Sequence, residues 1–231
     1  MNTIWAFGDS MTFGHGCNTD CDSKTKINYL PFKKDGDNIW INHLAKLLNY
    51  TAQNLGKNGA SNDYIFDCII DNYDSIQPND VVVINMTLHG RMEVPFKNGI
   101  YNILSGYENT KTFMGNIDLP PDIIIPEKAK EDDDEKINAL INFQYHFSNH
   151  QFYKDRHIKR FNFIKDRLLN ERKVKYVYMW SLEDDLGIYA SFETINKATN
   201  GVVKDTHFSF NGHFNFAHFL YNTINTNKAI I

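Results

Sequence analysis

Ser10 follows the apolar run Thr3-Ile4-Trp5-Ala6-Phe7 after Gly8-Asp9. A turn there exposes its hydroxyl at the carboxyl edge of a parallel sheet, the edge at which open α/β sheets bind ligands. A serine hydroxyl is a weak nucleophile until a base takes its proton. The candidate base stands far along the chain, His207, in Asp205-Thr206-His207-Phe208. In an extended segment, residues two apart face the same way, so the Asp205 carboxylate can pair with the His207 imidazole and fix its orientation. Spacing alone fits equally an Asp205 that caps a turn and a His207 at the surface; brought together, the three groups would serve acyl transfer. Two other sets carry less. His146 and His150 are four apart, and His207, His213 and His218 gather later. Spacing of four puts two imidazoles on one helical face, as zinc requires, but there is no His-Glu-x-x-His and no carboxylate partner is specified. No metal or organic cofactor is expected. Cys17, Cys21 and Cys68 are an odd set, too few for a disulfide scaffold, and fit a reducing compartment.

Three segments, in order, resemble the blocks of the SGNH (GDSL-type) hydrolases. Gly8-Asp9-Ser10-Met11-Thr12, with Gly14 two residues on, is similar to the first block, whose serine is the nucleophile. Asn54-Leu55-Gly56-Lys57-Asn58-Gly59-Ala60-Ser61 is similar to the second, whose glycine lends a backbone N–H to the oxyanion hole; Gly59 takes that role by position. His207 with Gly212 five residues later, before an aromatic-rich helix, is similar to the last, where histidine is the general base. The resemblance spans nearly the whole chain. It implies a three-layer α/β/α sandwich around a parallel, flavodoxin-like sheet of about five strands. It also implies hydrolysis of an acyl or O-acetyl ester through an acyl-enzyme, with Ser10 attacking, His207 moving the proton and Asp205 holding the imidazole. The substrate would be a small-molecule or carbohydrate ester.

The chain departs from the family pattern at defined places. Where Gly-x-Asn-Asp usually follows the third strand, it reads Asn85-Met86-Thr87-Leu88. Thr87 falls in the place of the Asn that gives the third oxyanion donor, beside the Ser10 and Gly59 backbone N–H groups. A threonine hydroxyl can donate one such bond; Asn85 is the alternative donor. The acid usually stands three residues before the histidine, where this chain has Lys204; Asp205 is one closer, with Asp184 and Asp185 as alternatives. Phe208 replaces the usual proline after the histidine. There is no Gly-x-Ser-x-Gly, which argues against the nucleophile elbow of the α/β-hydrolases. These departures motivate a second expectation, a non-catalytic module of the same fold serving a larger assembly. Arg91 and Glu93, after the third strand, are expected to form a surface pair of little worth.

The elements that must position these residues follow from periodicity. Strand one is Thr3 to Phe7, and a loop is expected over 15–37. Apolar positions from Ile39 to Leu48 recur at helical spacing, with Asn38 as the N-cap. Thr51 to Asn54 is a short strand, and Tyr64, Ile65, Cys68, Ile69 and Tyr73 make a second amphipathic helix. The β-branched run Asp80 to Asn85 reads as a strand covered on both faces. Residues 88–132 show no period and are read as an insertion roofing the site; Asp132 to Glu171 reads as helical, with Ile158, Phe161, Ile164, Leu168 and Leu169 as its apolar stripe. Val174 to Trp180 is the next strand, and Phe214, Ala217, His218, Leu220, Tyr221 and Ile224 mark a closing helix. Strand and helix alternate, which predicts a parallel sheet in one domain over 1–231.

The 231 residues carry 24 Lys and Arg against 28 Asp and Glu, a formal charge of −4, so neither nucleic acid nor an anionic membrane is an expected partner. Nine Lys and Arg against three Asp and Glu lie between Lys154 and Lys175, with Phe161 and Phe163 interleaved; Glu131-Asp132-Asp133-Asp134-Glu135 offsets them. That stretch reads as the solvated face of a helix with its aromatic rings in the core. No run approaches the ~20 apolar residues of a membrane span and no signal peptide is evident, so a soluble, cytoplasmic protein is expected.

Overall fold

The structure, a computed structural model, describes residues 1–14, 38–96, 99–104, 150–182, 190–191 and 207–226. In chain order these form β1 (Thr3–Phe7), α1 (Ser10–Phe13), α2 (Trp40–Leu48), β2 (Thr51–Asn54), α3 (Asn62–Asn72), β3 (Val81–Met86), β4 (Arg91–Phe96), β5 (Gly99–Leu104), α4 (His150–Asn170), β6 (Tyr176–Ser181), β7 (Ala190–Ser191) and α5 (Phe210–Thr226). The main sheet has the order β2-β1-β3-β6-β7 with every pairing parallel. Numbered within the sheet alone, that is 2-1-3-4-5, the doubly wound order whose switch point lies between β1 and β3.

Side chains alternate across each strand, so each strand feeds two cores. Ile4, Ala6, Val81 and Val83 pack with Trp40 and Leu44 of α2 and Phe216 and Leu220 of α5. Trp5, Phe7, Val82 and Ile84 pack with Ile65 and Ile69 of α3 and Phe161, Ile164 and Leu168 of α4. Two helices on each face make three layers. Burial on both faces is why β3 reads as an unbroken apolar run rather than an alternating one. The amino end of the sheet is closed by the buried Asp80 carboxylate, which accepts hydrogen bonds from Thr3 N–H (2.7 Å), Trp5 Nε1–H (2.8 Å) and Gln77 N–H (2.9 Å).

Several sequence expectations are corrected. The N-cap of α2 is Ile39, with no side-chain capping bond, rather than Asn38. Within the segment read as aperiodic, β4 and β5 pair antiparallel, with Phe96 opposite Gly99, so a hairpin stands where only irregular chain was expected. Leu169 and Phe163, assigned to the core, are exposed, as is Phe214 on the closing helix. Phe163 instead lies under the Arg167 guanidinium, 5.5 Å from its ring centroid, and α5 buries Phe216 in place of Phe214. The expected loop at 15–37, residues 105–149, Cys17, Cys21, His146, Asp184, Asp185 and Asp205 lie outside the described residues. None of the described helices is long and apolar enough to cross a membrane.

Candidate active site

Ser10 is the first residue of α1, directly beyond the carboxyl end of β1. The turn that carries it is held from two sides. Asp9 caps α1 by accepting from Met11 N–H at 3.1 Å. The Asn85 side-chain oxygen, from β3, accepts from Asp9 N–H and from the Thr12 hydroxyl, both at 3.4 Å. His207 reaches the same place from the far end of the chain. Its Nε2 lies 2.8 Å from Ser10 Oγ, a hydrogen bond spanning 197 positions. Phe208 fixes that approach: it is fully buried against Trp180 (6.0 Å) and Phe216 (5.2 Å), so the aromatic residue that replaces proline anchors the histidine to the core. Ser209 then starts α5, its hydroxyl accepting from Gly212 N–H at 3.1 Å.

Gly59 is carried on a turn tied to the serine. Leu55 N–H donates to Ala6 O (2.8 Å) and Lys57 N–H to Gly8 O (3.0 Å), extending the β1–β2 pairing past the strand ends. Asn54 bridges the two loops, its amide donating to Thr12 O and its oxygen accepting from Gly56 N–H, each at 3.0 Å. The turn closes with Ala60 N–H on Lys57 O at 3.1 Å, and Gly59 adopts φ +72°, a left-handed conformation that glycine takes without strain. Among the described residues, no acceptor takes the backbone N–H of Ser10 or of Gly59.

The side chains expected to add a third donor are differently placed. Thr87 is fully buried and its one hydroxyl proton goes to Asp9 Oδ2 at 2.9 Å, while its oxygen accepts from Arg91 Nη1–H at 2.8 Å. The Asn85 amide donates to Met86 O at 3.2 Å. Arg91 does not form the expected surface pair with Glu93. Its Nη1 lies 3.5 Å from Asp9 Oδ2 and 3.2 Å from Ala60 O, while burial holds the Glu93 carboxyl above the usual carboxylate range despite nearby Lys57. Sequence reasoning also missed Asn62, whose side chain grips the Thr87 backbone, and the buried histidines stacked behind it, His89 and His157. Local spacing carries no sign of a partnership between residues 25 or more positions apart; the one usable hint was Asn62 standing right after the second block.

Among the described residues there is no group of three or more His, Cys, Asp or Glu side chains that could hold a metal ion. No family model and no curated protein matches the chain. Solved structures do match. A protein of Agrobacterium tumefaciens C58 assigned as an arylesterase is 12% identical with a TM-score of 0.50, over 98% of this chain and 99% of its own. A lipolytic G-D-S-L family member from Veillonella parvula is 10% identical (TM-score 0.45; 97% and 99% covered), and an acetyl xylan esterase from Butyrivibrio proteoclasticus is 13% identical (TM-score 0.45). This chain covers 98% of its own length in the last match but 64% of that esterase. At such identities the likeness concerns architecture alone: the chain has a three-layer α/β/α fold, a parallel sheet in doubly wound order between two helical layers, in common with the Agrobacterium protein.

Proposed function

We propose that this protein is a serine ester hydrolase working through an acyl-enzyme. The contact between Ser10 Oγ and His207 Nε2, 2.8 Å, carries the reading, because it joins a nucleophile to its base at the sheet's switch point. Ser10 Oγ attacks the ester carbonyl carbon as its proton passes to His207 Nε2. The carbonyl oxygen becomes an oxyanion facing the Ser10 and Gly59 N–H groups. Collapse breaks the bond to the alcohol, which leaves with the proton from His207. Water then repeats the sequence, its proton going to His207 and back to Ser10 Oγ as the carboxylic acid departs. Asp205 is the acid we assign to the imidazole. Thr87 enters through Asp9 rather than as a third donor.

Short acyl esters and carbohydrate O-acetyl groups are the substrate classes that the family resemblance suggests. The test is hydrolysis of p-nitrophenyl acetate by wild type and Ser10→Ala, with a fluorophosphonate label mapped by mass spectrometry. A rate lost in Ser10→Ala and a label on Ser10 support the enzyme. Equal rates overturn it and leave the non-catalytic module; a label elsewhere overturns Ser10 as the nucleophile.

A further inference from the structure

Asp9 is a carboxylate 1% exposed, one residue before the nucleophile, so its Cα stands about 3.8 Å from that of Ser10. Both of its oxygens hold partners. Oδ1 accepts from Met11 N–H; Oδ2 accepts from the Thr87 hydroxyl and faces Arg91 Nη1. The same Nη1 reaches Thr87 Oγ1 and Ala60 O, next to Gly59. The side-chain contacts of this pair thus tie together the three segments around the serine: α1 through Met11, the second loop through Ala60 and the residue just past β3, Thr87. Arg91 is the first residue of β4, and its side chain is 16% exposed. An ion pair this far out of water is screened much less than a surface one.

A buried negative charge beside a forming oxyanion opposes it unless a cation cancels the field. We infer that Arg91 is a positioning residue of the hydrolase: it neutralises Asp9 and orients the Thr87 hydroxyl onto it, so that the oxyanion develops against two open amides with no uncompensated charge behind them. The inference rests on the esterase reading. It assigns to the start of the hairpin a task in the reaction itself, since the charge it cancels matters in the transition state and not in substrate binding.

The test is steady-state hydrolysis of p-nitrophenyl acetate by wild type, Ser10→Ala, Arg91→Gln, Arg91→Lys and the double variant Asp9→Asn/Arg91→Gln. Arg91→Gln should lose on the order of tenfold to a hundredfold in kcat with KM within about twofold. Arg91→Lys, which keeps the charge, should stay within about fivefold of wild type. The double variant should recover most of the loss, because asparagine still caps α1 and no charge is left unpaired. A double variant as slow as Arg91→Gln, or Arg91→Gln equal to wild type while Ser10→Ala is inactive, overturns this inference alone. Equal rates in wild type and Ser10→Ala sink the esterase reading and this inference with it. If Arg91→Gln does not fold, the other two variants decide: both near wild type supports the inference, both slow overturns it.

Discussion

The side chain of Asn62 grips the backbone of Thr87 as a neighbouring strand would: its oxygen accepts from Thr87 N–H and its amide donates to Thr87 O, both at 2.9 Å. Both residues are fully buried. The bond pair fixes the residue just past β3 to the first turn of α3, which begins just after the loop carrying Gly59. One amide therefore sets the spacing between two of the three segments around the serine.

Asn62→Ala would leave a buried N–H and a buried carbonyl without partners, at a cost of about 1–3 kcal/mol each. The urea midpoint should fall with the slope unchanged. Asn62→Asp should fare no better, because a carboxylate repels the Thr87 carbonyl that the amide now serves.

Asp80 separates stability from activity. It holds three donors at the amino end of the sheet, opposite the site. Asp80→Ala should lose about 3 kcal/mol or more by denaturant titration, yet keep kcat within about twofold where the variant is still folded.

His157 should make the fold acid-sensitive. Its Nδ1 lies 2.9 Å from Nδ1 of the buried His89 and 3.4 Å from the Asn62 amide, and Asp63 Oδ1 lies 3.9 Å from Nε2. Burial lowers its pKa to about 4; Asp63 pulls the other way, and Arg156 and Arg160 add to the lowering. The unfolded chain takes up this proton near 6.5, so between about 6.5 and 4 it binds more protons than the folded one, and stability falls as pH falls through that window. The melting temperature should drop by several degrees over that range, and His157→Gln should flatten the slope. An unchanged slope would show that other groups carry it.

Gly56 marks a close approach. A Cβ there would come within 2.7 Å of Thr12 C and 2.8 Å of Phe13 Cα, backbone atoms that cannot step aside. Gly56→Ala should push the second loop away from α1, lowering kcat/KM at least tenfold together with the melting temperature.

Much of this was legible in the chain. The bounds of β1, Thr3–Phe7, match residue for residue, because a buried strand ending at Gly8-Asp9 has a sharp local signature. Chemistry and family pattern pair Ser10 with His207, and the two side chains lie 2.8 Å apart. The hairpin β4–β5 was missed although Met92, Val94 and Phe96 alternate and Asn98-Gly99 is a strong turn signal. Pro95 and the scattered glycines nearby masked the period. Arg91 was read against Glu93, its neighbour two positions on, whereas its carboxylate partner stands 82 positions back. Such pairing is set by topology, which no local window contains. The same holds for Asn62, whose polar character suggests a solvated helix start rather than a buried clamp.

The bond between Ser10 and His207 also bears on how the molecule comes into being. A chain emerging from the ribosome exposes Ser10 early and must wait 197 further residues for its partner. Closing so large a loop is slow relative to helix formation, although each doubling of length adds only about 0.6 kcal/mol of entropy. Competence therefore arrives late in biosynthesis. A nascent or truncated product that ends before His207 would carry the serine and both open amides, with nothing to take the proton.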